Sequence, residues 1–145
     1  MIRRTHRQLA VVAALLTATL VGCGKEGPDM GQVTGKVTRA ASPVVGVTVY
    51  FQPEEGRISQ GVTNELGDYK LRYTRTEDGA KVGKHKVFVA FVPPAGPEAE
   101  MARAAGKLKP HPDEKAILEK YGSFATSTID KVVEPGSQVI DLALD

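Results

Sequence analysis

The chain of 145 residues has no tryptophan, one cysteine and three histidines. A lone cysteine, Cys23, excludes an internal disulfide. His85 and His111 are the only histidines beyond residue 22. The two do not stand at i, i+2 or i, i+4 to one another with a third partner nearby, whereas a metal centre needs three or four ligands. Both histidines are therefore expected as single surface residues, and no metal or cofactor is expected. Ser59, Ser123 and Ser127 lack the Gly-x-Ser-x-Gly setting of a nucleophile elbow. With no acid–base constellation in the pattern, an enzyme is not expected.

Acids are missing from residues 1–22, which hold Arg3, Arg4 and Arg7. Without that segment, 16 of the 19 basic residues face all 17 acidic ones, so the remainder is close to neutral. A balance of that kind has no electrostatic footprint for nucleic acid. Also missing is an apolar run long enough to span a bilayer. Residues 9–21, LAVVAALLTATLV, make a predominantly apolar stretch of 13 residues, whereas a spanning helix takes about 20. Behind the basic stretch MIRRTHRQ, that length suits the apolar region of a secretory signal.

The end of the apolar run gives Cys23 its reading. Leu20-Val21-Gly22-Cys23 resembles the bacterial lipobox. The resemblance implies cleavage between Gly22 and Cys23, diacylglycerol on the thiol, and a further acyl group such as palmitate on the new amine. Several acyl chains anchor stably where one does so marginally. Residues 1–22 are thus read as a lipoprotein signal peptide, and residues 23–31 as a lipidated, Gly-rich tether. Gly24 stands where an Asp would hold a lipoprotein in the inner membrane, which favours the outer membrane. The membrane, through the lipid on Cys23, is one expected partner.

Beyond the tether, period-two alternation dominates. Val33 and Val37 mark a first strand, Val47, Val49 and Phe51 a second, and residues 57–63 a more polar third. Tyr69, Leu71 and Tyr73 mark a fourth, Val87, Val89 and Phe91 a fifth, residues 125–133 a sixth, and Ile140, Leu142 and Leu144 a seventh. Turn-forming clusters separate them, Glu77-Asp78-Gly79 among them. Seven strands of this spacing predict an all-β, antiparallel β-sandwich over residues 32–145. A short helical insertion precedes the last two strands. In it, Pro97–Lys107 places acids before bases, as the helix dipole favours, and Asp113–Tyr121 fits two helical turns. The surrounding segment 93–112 is the most individual part of the chain, and long loops on rigid sandwiches often carry binding.

Asn64, Gly67 and Asp68 form the remaining cluster. Their oxygens suit either a hairpin turn, with a local bond from Asn64 and positive φ at Gly67, or a weak cation site. The turn is the favoured reading, because the full acidic loop of a calcium site is absent.

In order, the stretches VTGKVT, PVVGVTVYFQPE, GVTNELGDYKL and GAKVGKHKVFV resemble the carboxypeptidase regulatory-like domain, a transthyretin-like (prealbumin-like) seven-stranded sandwich with Ig-like architecture. The tail EKYGSFATSTIDKVVEPGSQVIDLAL resembles small lipoproteins of the planctomycete type that carry this domain. Asn64, Gln138 and Gly83-Lys84-His85 depart from the usual pattern. The resemblance implies a non-catalytic domain, often beside an enzyme or on a surface, and no defined activity. The first reading is a lipid-anchored cell-envelope protein that acts as a structural or protein-interaction module, with edge-strand addition as one docking mode. The alternative is an accessory module for a glycan or peptide, for which Tyr50, Tyr73, Phe88 and Tyr121 are the available aromatics. A transthyretin-like hydrolase ranks behind both. Those enzymes carry a C-terminal Tyr-Arg-Gly-Ser, whereas this chain has an internal Tyr121-Gly122-Ser123 with no arginine.

Overall fold

The structure, a computed structural model, describes residues 27–91, 96–107 and 110–145. Gly22, Cys23 and the first part of the tether lie outside the described residues, as does part of segment 93–112. The elements are β1 (Met30–Arg39), β2 (Ser42–Pro43), β3 (Val47–Pro53), β4 (Ser59–Val62), β5 (Asp68–Lys70), β6 (Ala80–Lys81), β7 (Gly83–Phe91), α1 (Pro97–Ala104), α2 (Glu114–Tyr121), β8 (Ile129–Val133), β9 (Gly136–Val139) and β10 (Leu142–Ala143).

Two sheets enclose one core. One sheet runs β4-β3-β7-β8 and is antiparallel throughout. The other is organised around β1, with β2, β5 and β6 antiparallel to it and β9 and β10 parallel to it. This second sheet is therefore mixed, which corrects the expectation of a wholly antiparallel sandwich. Only two residues, Glu134 and Pro135, separate β8 from β9. The chain leaves one sheet there and enters the other alongside β1.

Among the described residues, ten strand segments stand where seven are expected. Two of the additions, β2 and β6, are two-residue pairings too short to carry a period. The third comes from the last strand, which divides at Ile140-Asp141. There the Lys36 N–H donates to the Asp141 carboxylate at 2.8 Å, so a side chain occupies the ladder position. Strand β8 also starts later than Ala125. The Ser127 N–H donates to the Ser123 carbonyl (2.9 Å) and closes a turn over residues 123–127 instead.

Alternation sets the core. Val33 and Val37 of β1, Val47, Val49 and Phe51 of β3, Val87 and Val89 of β7, and Leu142 of β10 are buried, with Tyr69, Leu71 and Leu144. Burying each large apolar side chain is worth roughly 1.5–3 kcal/mol relative to exposure. Helix α2 completes the core with Ile117 and Tyr121, four residues apart on one face. Helix α1 buries only Ala99. The sheets also meet along one side. Gln60 of β4 and Arg72 exchange backbone hydrogen bonds of 3.0 and 2.8 Å.

Candidate functional site

The turn at Asn64 is closed by its own side chain. Asn64 Oδ1 accepts from the Leu66 and Asp68 N–H groups, both at 2.9 Å, and Gly67 takes φ 77°. The Asp68 carboxylate pairs with Lys36 Nζ at 3.2 Å. The three residues thus come together, with their oxygens already engaged. Beside them lies an open groove of about 620 Å³ lined by Thr34, Lys36, Asn64, Asp68, Tyr69 and Asp141, among others. The Tyr69 hydroxyl donates to the Ile140 carbonyl at 2.5 Å. Burial, and then the Asp141 carboxylate, push the Tyr69 phenol well above its ordinary value. A phenol held in that way is a fixed hydrogen-bond donor rather than a base. Nearby, Asp78 takes a hydrogen bond from Lys70, which holds its carboxyl below the usual range, and Arg72 adds to the effect.

The histidines depart from expectation. His85 is buried, only 2% exposed, not on the surface. Its ring lies 5.8 Å from Phe51, and Nε2 meets the Lys81 carbonyl at 2.7 Å. Nδ1 has no partner among the described residues. The signal was present in the sequence, since His85 shares the parity of Val87 and Val89. His111 is half-buried and stacks on Phe91 at 5.4 Å. Among the described residues, no three His, Cys, Asp or Glu side chains converge as metal ligands.

The aromatic set also changes. Tyr121 is buried by the same i, i+4 face as Ile117, so it is not available to a ligand. In its place Phe124, which no strand or helix period singles out, stands 51% exposed in the loop after α2. It joins the outer face of the four-stranded sheet, where Lys84, Lys86, Asp130 and Val132 line the same groove of about 450 Å³. On that face Tyr50 and Phe88 oppose one another across β3 and β7 and stack, with ring centroids 5.0 Å apart and planes inclined by 15°. On the same face Val62 of β4, opposite Thr48, and Val132 of β8, opposite Lys84, are 62% and 56% exposed. These side chains give the outer face of the four-stranded sheet an apolar component. It is built from the residues that alternate with the core set.

Compared with known proteins, the chain matches no family model, no curated protein and no solved structure.

Proposed function

We propose that the chain is a non-catalytic, lipid-anchored protein of the cell envelope. In this reading its prealbumin-like, carboxypeptidase regulatory-like sandwich serves as a structural or protein-interaction module. Acyl groups on Cys23 anchor it, with the outer membrane favoured. The observation that carries the interaction role is the outer face of the four-stranded sheet, where Tyr50, Phe88, Val62, Val132 and Phe124 present apolar surface. A patch of that kind on a folded domain marks a contact site.

The ring geometry favours a protein partner over the glycan alternative. A sugar needs the flat face of an aromatic ring. Tyr50 and Phe88 turn faces toward each other, so each ring covers one face of its neighbour. The face is also better placed than the sheet edges. Strand β4 is bridged on its second side by Arg72. Strand β8 carries Lys131 at the inward parity of Val133, a charge that discourages an added strand.

Anchoring is tested by the intact mass of the protein extracted from fractionated membranes, beside Cys23→Ser. The expected mass is that of residues 23–145 plus acyl groups, lost in the variant. A soluble, unacylated product would overturn the anchor.

A further inference from the structure

The outer face of the four-stranded sheet carries a charge pattern that complements itself. Pro53 and His85 are paired across β3 and β7, which places Glu54 level with Lys84 one step further on. Both are exposed, and both line the groove of the outer face. Neither belongs to an ion pair among the described residues, whereas Lys86 is already paired with Asp130 at 2.7 Å. The stacked Tyr50 and Phe88 lie further along the same two strands.

We propose that this face binds a second copy of the chain, in a two-fold dimer whose axis runs along the strands. A two-fold interface must be complementary to itself. Rotation about that axis lays β3 of one copy over β7 of the other. Each Glu54 then meets the other copy's Lys84, giving two ion pairs. The Tyr50–Phe88 stack meets its own symmetry mate, at the spacing of about 10 Å typical of aligned sheets. The same axis directs both Met30 ends toward one pole. Two anchors at Cys23, each on a tether reaching about 25 Å at full extension, then enter a single bilayer. An axis perpendicular to the strands would send the two tethers in opposite directions. The proposal rests on the reading of the chain as an anchored interaction module.

Sedimentation velocity of the full chain, extracted in detergent, tests it together with three variants. The wild type is expected to sediment as a dimer. Glu54→Lys and Lys84→Glu are each expected to weaken self-association about tenfold or more, because they set like charges opposite one another. The double variant E54K/K84E is expected to restore the dimer, with the urea midpoints of both single variants at the wild-type value, so that their loss of self-association is not a folding defect. A wild type that stays monomeric up to the highest attainable concentration overturns the proposal. So do single variants that dimerise as well as wild type, or a double variant no better than the singles. The two readings fail separately: an acylated monomer sinks the dimer and leaves the anchor, whereas an unacylated dimer does the reverse.

Discussion

The Tyr69 hydroxyl reaches the Ile140 carbonyl at 2.5 Å, crossing β1 at Gly35. The crossing depends on Gly35 having no side chain. A Cβ there would collide with the Ile140 carbonyl and lie 3.0 Å from the Tyr69 ring. One strand thus brings together the two others that flank it, through a single phenol.

Tyr69→Phe keeps the ring and removes the donor, leaving a carbonyl without that partner. The expected cost is about 1–2 kcal/mol in urea unfolding at neutral pH. The pH dependence comes from the raised phenol. The folded state holds the proton more tightly than the unfolded chain does, so this contribution is complete below the ordinary value of 10.0. It declines as pH rises past that value toward the folded-state value. Wild type should lose stability between about pH 10 and 11 more steeply than Tyr69→Phe. Parallel curves for the two proteins would show that the phenol is not linked to folding.

A second prediction comes from the hairpin between β1 and β2. Ala40 and Ala41 take φ 46° and 64°, both in the left-handed region, and Arg39 and Ser42 pair across them. A two-residue turn of this hand favours Asn-Gly. An L-residue with a Cβ loses about 1–2 kcal/mol there, and the entropy of an added glycine returns part of the gain. The double substitution Ala40→Asn with Ala41→Gly is expected to stabilise the protein by about 1 kcal/mol. A lower urea midpoint for that variant would contradict the assignment of the turn.

The two helices should respond differently to truncation. Ile117 is completely buried in the shared core, whereas Met101 of α1 is 72% exposed. Ile117→Ala is expected to cost about 2–5 kcal/mol and Met101→Ala to stay within about 0.5 kcal/mol. Similar effects at both positions would mean that α2 is not part of the core.

Much of this architecture was legible because alternation is a strong signal where one strand face is buried. Val47, Val49, Phe51, Val87 and Val89 point inward, as their spacing predicts. The parallel course of β9 and β10 was not legible, since side-chain parity is the same whichever way a strand runs. Nor was the division of the last strand, which depends on one carboxylate at Asp141 taking a backbone position 105 residues away in sequence. His85 was misplaced for another reason. The absence of ligand partners does not decide which face a residue takes: in a strand neighbours point opposite ways, so His85 lies inward between the outward Lys84 and Lys86. The outer face of the four-stranded sheet was partly legible: Tyr50 and Phe88 had the right parity, but their stacking required the register of β3 with β7.

The Asn64 turn makes the sharpest distinction between a structural and a cation-binding cluster. Asn64 Oδ1 accepts two backbone N–H groups, and Asp68 is held by Lys36. A calcium ion would have to displace both arrangements and tolerate the lysine ammonium nearby. Ligands that bind only the folded state raise its stability in proportion to the logarithm of their concentration. Millimolar calcium is therefore expected to leave the melting temperature unchanged. Asn64→Ala, which deprives both N–H groups of their acceptor, should lower stability by about 1–2 kcal/mol with or without calcium. If calcium instead raised the melting temperature of wild type but not of Asn64→Ala, the turn would be a cation site and its internal bonds only the ion-free arrangement.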